Sequence, residues 1–550
     1  MSNHIISSEK ITEEISFNEV YCIRGSNEIS DNFASYLLDE SKLSGEAELL
    51  LFPKSEAEIY SVISFLRENK IRAYISASRT GIVGSSVPTS GAILSTEKMN
   101  EITGIGYDKN KGNYFIRVEP GITLQEINDR LMKKEFENIT ELTPDAKKKF
   151  KEENKMFYYP VDPTEMSATI GGTVATNASG GSTLKYGTTR EWIKGLRVML
   201  SSGEILDIQR GMYFASKEGT FIINQSNNLK LEFKIPNYIF NTKVKNAAGI
   251  YSKPEMDLID LFIGSEGILG VVTHVDIWIA EKQNLISNVL FFNSEDDAIS
   301  FVEFLSINKK ISPELIEFFS FEALNLLIKV QSENPSSMNI PLIPVEANTA
   351  IFFDFPYIES RLEIMFNDLD EIAKKCKTDL AKGWSGYEKQ DHIRFKQFRH
   401  ALPENVNAII AERKQQFPEF HKLGTDMSVP GKNFRSMMKY YHSTLRNANL
   451  EYVIFGHIGD YHVHVNILPK NMEELKIGEE IYEKFARKAV EYGGSISGEH
   501  GIGKIKRKFL SIMYTQENLE EMRLIKKTLD PSLILNYGNI ISFEKEEFPS

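Results

Sequence analysis

The chain has 550 residues, 41% hydrophobic and 25% charged; that is the balance of a folded protein, and it is too long for one ordinary core. Its 76 acidic and 64 basic residues give a net charge of -12, which excludes the basic footprint of nonspecific nucleic-acid binding. Two cysteines, Cys22 and Cys376, exclude a disulfide framework and a four-cysteine iron–sulfur cluster within the chain, and favour a reducing compartment.

The opening stretch, MSNHIISSEKITEEIS, is polar and acidic and lacks the basic start and apolar core of a secretory signal. No apolar run is long enough for a transmembrane segment. The expectation is a cytoplasmic protein, with peripheral membrane contact left open. Apolar residues recur at three- and four-residue steps over residues 56–69, 123–134, 297–307 and 479–492, which predicts helices. Residues 114–118, 196–200, 271–279, 288–292, 350–355 and 462–468 read as strands. The lysine-rich stretch 145–155 reads as a solvated helix or loop, and residues 216–245 as an excursion from a domain edge. This interleaving predicts a mixed α+β chain, with a second domain from near Ala280.

Glycines cluster at residues 76–91, 171–187, 264–270, 456–459 and 493–503. In SATIGGTVATNASGGSTLKYG, the pairs Gly171–Gly172 and Gly180–Gly181 flank small residues and Asn177. Glycine allows positive φ and lets backbone N–H groups approach an anion, the surface a dinucleotide pyrophosphate needs. Gly84, Ser85 and Ser86 offer a second wall. Neither GxGxxG nor GxxxxGK[ST] occurs in these segments, so a Rossmann domain and a nucleotide triphosphatase have no support there.

In GHIGDYHVHVNIL, His457 sits in a glycine-flanked turn, and His462, His464 and Asn466 alternate with aliphatic residues. In a strand these three share one face, while the aliphatics enter the core. Further on, ISGEHGIGK holds Glu499 and His500 between glycines. Two histidines and a carboxylate suit an open site for zinc, manganese or iron; hydrogen-bonded buried histidines are the alternative. Arg394 and Arg399, in the helix-like RFKQFRHALPEN, are candidates for gripping a carboxylate.

The segments TGIVGSSVPTSGAILSTEKMN, VEPGITLQEIN, ATIGGTVATNASGGSTLKYGTTREWIKGLRVMLSSGEIL and DLFIGSEGILGVVT occur in this order. They resemble the FAD-linked oxidase family of vanillyl-alcohol-oxidase type, in the branch of D-lactate dehydrogenase, glycolate oxidase large subunit and D-2-hydroxyglutarate dehydrogenase. The resemblance spans about residues 50–541. It implies an α+β fold: a two-subdomain FAD-binding domain over residues 1–280, an α+β substrate (cap) domain with the metal site over 281–500, and a segment over 501–550 that returns to the FAD domain. It also implies noncovalent FAD. Pyrophosphate contacts would come from Ser78, Arg79, Thr80, Gly81 and Gly84. Flavin and ribityl contacts would come from Pro160, Asp162, Thr169, Gly171, Gly172, Asn177, Gly180 and Gly181. Glu266, Gly267, Ile268, Gly270 and Val271 would reach the adenine side, and Asn536 the flavin. Arg79 departs from the glycine run of many relatives and would meet phosphate or point to solvent.

The resemblance places metal ligands on His457, His464 and Glu499, a catalytic base on His500 and the carboxylate grip on Arg399. His462 stands where asparagine is common and would be an extra polar contact or a partner orienting a ligand. The implied reaction is metal-assisted oxidation of a small D-2-hydroxy acid to the 2-oxo acid, with hydride passing to flavin N5. Leu402-Pro403 and Gly424-Thr425-Asp426 stand where relatives acting on dicarboxylic acids carry further polar residues, which leans toward a lactate-like substrate. A quinone, a cytochrome, an electron-transfer flavoprotein or oxygen would accept the electrons, and a homodimer is compatible. Three other readings are kept: a non-redox FAD enzyme resembling alkylglycerone phosphate synthase, a metallohydrolase on the histidine cluster, and a flavin-holding subunit without activity.

Overall fold

The computed structural model describes residues 20–136, 139–224, 230–333, 340–417 and 419–543. The acidic opening stretch and residues 544–550 of the returning segment lie outside these. Leu49–Phe52, Ala92–Ser95 and Ala73–Ser76 form a parallel core, with Tyr21–Arg24 antiparallel at one edge. The crossover between its first two parallel strands contains the helix Glu56–Glu68. Ser55 caps that helix by accepting from the Glu58 N–H at 3.2 Å, and Ile59, Val62, Ile63 and Leu66 are buried on one face.

A six-stranded sheet follows, in the order Ile205–Gln209, Ile193–Met199, Val271–Trp278, Asn113–Val118, Ile102–Asp108, Thr140–Glu141. Within the excursion expected over 216–245, Thr220–Asn224 and Lys230–Lys234 pair antiparallel as a separate two-stranded sheet. The third sheet has seven strands, in the order Trp384–Gly386, Leu285–Phe292, Thr349–Pro356, Leu315–Phe319, Tyr452–Gly456, His464–Ile467, Leu423–Gly424. The chain then returns to the first sheet. The Ala73 N–H donates to the Ile534 carbonyl at 2.7 Å, and the Asn536 N–H to the Ala73 carbonyl at 2.8 Å.

Differences from the predicted elements have local causes. The helix predicted over 479–492 starts seven residues earlier, as Met472–Glu491, because Asn471 accepts from the Glu474 N–H at 2.9 Å. Its first turn carries Glu473 and Glu474 rather than an apolar stripe. The strand predicted over 462–468 is shorter, His464–Ile467, because His462 makes a single bridge to Ser428 instead of joining the ladder. In the lysine-rich stretch, the helix Ala146–Glu152 buries Ala146 and Phe150.

The helix Lys389–Lys414 lies against the seven-stranded sheet through Phe395, Phe398 and Leu402. Pro403 stands inside it and has no N–H to give to the carbonyl four residues back, that of Arg399.

Candidate functional site

Between the first two sheets lies a partly open, largely apolar cleft. Five expected residues line it: Gly171, Gly172, Gly267, Gly270 and Asn536. Ala77, Thr96, Pro120, Ala175, Phe262 and Ser265 line it too, although nothing in the sequence singled them out. A Cβ at Gly171 would stand 2.7 Å from the Pro120 Cβ and 2.9 Å from its carbonyl oxygen, so glycine lets two walls close together. Ser78 Oγ accepts from the Thr169 N–H at 3.1 Å, and Thr169 caps the helix Ile170–Thr176. Arg79, at φ 60°, donates to Ser76 Oγ and the Ala77 carbonyl and stacks 4.1 Å over the Tyr36 ring. Its guanidinium is therefore folded onto its own loop. Gly81 is exposed beside half-buried Thr80, and the Gly84 carbonyl accepts from Lys504 Nζ at 3.1 Å.

Other expected cofactor contacts have a different job. Asn177 Oδ1 accepts from Thr188 Oγ1 at 2.9 Å and from the Arg190 N–H at 3.0 Å. The Glu266 carboxylate accepts from the N–H groups of Ile502 and Gly503 and from Ser85 Oγ, at 2.6 to 2.8 Å. Ile268 and Val271 are buried in the core. These four side chains shape the walls from behind instead of presenting polar atoms to a ligand. Asn536 lines the cleft while its amide joins the Ile75 N–H to the Glu266 carbonyl, both at 2.7 Å. Pro160 is buried, and Asp162, Gly180 and Gly181 face the charged cluster described next.

That cluster centres on Glu499. Its Oε1 has His464 Nε2 at 3.2 Å, His457 Nε2 at 3.4 Å and His500 Nε2 at 3.6 Å. Each imidazole faces an acceptor with its other nitrogen: His457 Nδ1 the Glu317 carboxylate at 2.9 Å, His464 Nδ1 the Thr425 carbonyl at 2.9 Å, His500 Nδ1 the Asp426 carboxylate at 3.2 Å. A carbonyl or carboxylate only accepts, so each Nδ1 carries the hydrogen and each Nε2 is the nitrogen turned toward Glu499, with a lone pair there whenever its ring is neutral. Three imidazole nitrogens thus converge on one carboxylate oxygen, an arrangement that requires a proton or a cation between them. The donor set therefore fits a divalent metal. At Gly456, φ is 128°, and a Cβ there would lie 2.9 Å from His464 Cδ2; glycine lets that ring lie against the backbone.

The electrostatics show where a proton sits when no cation is bound. Burial alone would raise the Glu499 carboxyl, but the Lys245 ammonium and the His457 imidazolium hold it well below the usual range. Burial would lower His457, yet Glu499 and Glu317 carry it up to about 9, so its Nε2 holds the proton that a cation would replace. Burial lowers His500, with Asp426 opposing, so its ring is neutral and able to accept a proton. His462 is fully buried, pairs with Asp426 at 3.1 Å and is pushed down to about 3 by burial.

His464, Glu499, His500 and Asp426 bring their potential ligand atoms within 4.8 Å of one another, a set that includes Asp426 where the sequence pointed to His457. Asp426 is spoken for, however: it also accepts from Lys506 Nζ at 2.7 Å, Ser497 Oγ at 2.6 Å and the N–H groups of Glu499 and His500. It lies beneath the 498–501 loop with no exposed surface.

Arg399 is nearly buried, whereas Arg394 points to solvent. Arg399 donates through Nε to Glu317 Oε1 at 3.0 Å and through Nη1 to Asp162 Oδ2 at 3.4 Å. Its Nη2 is 3.0 Å from Glu317 Oε1 but off the axis of a hydrogen bond, a buried donor without an acceptor among the described residues.

Sequence reasoning missed two members of this cluster. Lys245 Nζ donates to Glu499 Oε2 at 2.9 Å and to the Gly180 carbonyl at 3.0 Å, tying Glu499 to the glycine pair. No local pattern marks it among the lysines of its segment. Glu317 was detectable: it is a carboxylate in the apolar strand LIEFF, where charge is rare unless paired.

Residues 282–540 match the family model for the C-terminal domain of FAD linked oxidases, and residues 47–146 and 143–209 match that for a FAD binding domain. The chain belongs to the FAD-linked oxidases. This FAD-linked oxidase is 28% identical to D-lactate dehydrogenase of Anaerostipes hadrus, over 94% of its own length and 93% of the relative's. It is 26% identical to glycolate oxidase subunit GlcD of Bacillus subtilis, over 90% and 89%. It is 25% identical to D-2-hydroxyglutarate dehydrogenase of Xanthomonas citri pv. viticola, over 91% and 90%. Among solved structures it is similar to p-cresol methylhydroxylase, with a TM-score of 0.61 at 13% identity over 94% of each chain. It is also similar to alkyldihydroxyacetonephosphate synthase, with a TM-score of 0.56 at 14% identity over 90% of this chain and 77% of that one. The FAD-linked oxidase thus has the mixed architecture of the vanillyl-alcohol-oxidase type.

Proposed function

We propose that this FAD-linked oxidase converts a small D-2-hydroxy acid to its 2-oxo acid, using noncovalent FAD in the cleft and a divalent cation on His457, His464 and Glu499. The observation that carries this reading is the convergence of three imidazole Nε2 atoms on Glu499 Oε1. The names of the relatives, matched over about nine-tenths of the chain, support the substrate class. In this reading residues 1–280 carry the cofactor, 281–500 the substrate and cation, and 501–550 return to close the cleft.

FAD, when bound, supplies the two-electron acceptor, and a zinc, manganese or iron ion supplies Lewis acidity toward the 2-hydroxyl. The protein's own groups do the rest. Arg399 receives the substrate carboxylate at Nη2, which fixes the orientation of C2. His500 Nε2 takes the hydroxyl proton, and Asp426 at its Nδ1 stabilises the charge that results. Pro403 and Gly424, at positions where relatives acting on dicarboxylic acids carry further polar residues, bring no polar side chain for a second carboxylate, which favours a lactate-like acid. A quinone, a cytochrome, an electron-transfer flavoprotein or oxygen completes the turnover. Cytoplasmic location rests on the two free cysteines and on the described residues, where no helix is long and apolar enough to cross a membrane.

The test is the visible spectrum of the purified protein under anaerobic conditions, with D-lactate and with D-2-hydroxyglutarate. A flavin spectrum that bleaches with D-lactate is the expected result. Bleaching by D-2-hydroxyglutarate alone refutes the lean to a monocarboxylate. An oxidised spectrum with both acids favours the non-redox reading, to which the 14% identical synthase lends a shared fold only.

A further inference from the structure

We propose that Glu317 is a positioning residue that couples the substrate's arginine to the cation's histidine through a single shared oxygen. This rests on the roles proposed above for Arg399 and His457. Glu317 stands in the middle of the strand Leu315–Phe319, all of which is buried. A carboxylate at such a place is costly unless it is paired and hydrogen-bonded. Its pairing is unusual in one respect. His457 Nδ1 at 2.9 Å, Arg399 Nε at 3.0 Å and Arg399 Nη2 at 3.0 Å all address the same oxygen, Oε1. A structural arginine–carboxylate pair would more often use both oxygens in a two-pronged contact.

Two consequences follow from that shared atom. An acceptor at His457 Nδ1 fixes the ring's orientation and turns Nε2 toward Glu499, where a cation would replace its proton. The same oxygen takes Arg399 Nε side-on and leaves Nη2 without a hydrogen-bond acceptor, ready for a substrate carboxylate. Gly181 packs directly against the pair: a Cβ there would lie 2.7 Å from Arg399 Nη2 and 2.8 Å from Glu317 Oε1. A side chain at 181 would displace the Arg399–Glu317 pair from this arrangement. Displacing Oε1 moves the arginine and the imidazole together.

The experiment compares FAD-loaded wild type with Glu317→Gln, which keeps the shape and removes the charge. Zinc affinity is measured by competition with a chromophoric chelator, and D-lactate KM and kcat by flavin reduction. Zinc binding should weaken about 10- to 100-fold, the usual effect of removing a histidine's outer partner. KM should rise about tenfold or more, as expected for a disturbed charged hydrogen bond, while kcat at saturating zinc and D-lactate falls less. Glu317→Asp, which keeps the charge but withdraws the oxygen, should give the same paired shift in smaller measure. A lower melting temperature with zinc affinity and KM unchanged in either variant would make the pair merely structural and overturn the proposal. A change in only one of the two would overturn the coupling. A wild type that neither binds zinc nor is bleached by D-lactate would instead refute the functional reading beneath it.

Discussion

The cleft and the charged cluster are built in opposite ways. The cleft is made of backbone and small side chains, and its polar side chains mostly tie its own walls together, as Asn177, Glu266 and Asn536 do. The cluster is made of ionisable side chains from distant segments, each satisfied by the next: Asp162, Arg399, Glu317, His457, Glu499, Lys245. Shape governs the first, so added volume should damage it. Charge balance governs the second, where removing one partner strands another in a dry interior.

The sharpest way to break the contrast is to damage one region and read the other. His464→Ala should abolish tight zinc binding and lower turnover by at least about 10²-fold, because Lewis-acid assistance is worth several kcal/mol. The flavin spectrum should remain, and zinc titration with anaerobic flavin reduction checks both; full activity would remove the metal from the mechanism. Gly171→Ala should do the reverse. A methyl group against Pro120 should cost about 1–3 kcal/mol, and FAD affinity, read by fluorescence, should fall by about one to two orders of magnitude with zinc binding intact. The smallest effect tests charge in the seven-stranded sheet, at a carboxyl whose field reaches Arg399 and Glu317. Burial pushes the Asp354 carboxyl up to about 7, and its Oδ1 has no partner among the described residues. Because this value lies above that of the unfolded chain, about 3.9, the folded state holds a proton that the unfolded state releases. Stability should therefore fall as pH rises from about 4 to about 7. Asp354→Asn should remove that fall and gain about 1–3 kcal/mol at pH 7, measured by denaturant melts at several pH values; an unchanged slope would refute it.

The same contrast explains what the sequence revealed. Glycine motifs are local, so the residues around Gly171, Gly172, Gly267 and Gly270 suffice to place them on a cofactor wall. His457, His464, Glu499 and His500 are legible because two short motifs carry them. What the sequence conceals is long-range pairing. Lys245 looks like any surface lysine until the fold buries it beside Glu499. Asp426 looks like part of a substrate-facing strand, and only the packing of residues 497–506 over it shows that it anchors the loop. Glu266, placed by resemblance at the adenine side, spends its carboxylate on the N–H groups of Ile502 and Gly503.

The amide of Asn536 that closes the cleft bonds to Ile75, a partner 461 residues earlier in the chain. At roughly 5–20 residues per second, a ribosome needs about 25 to 90 s to bring the second residue out after the first. For that interval the emerging N-terminal half has one wall of its cleft missing. The cleft described here is therefore complete only after residue 536 has been synthesised.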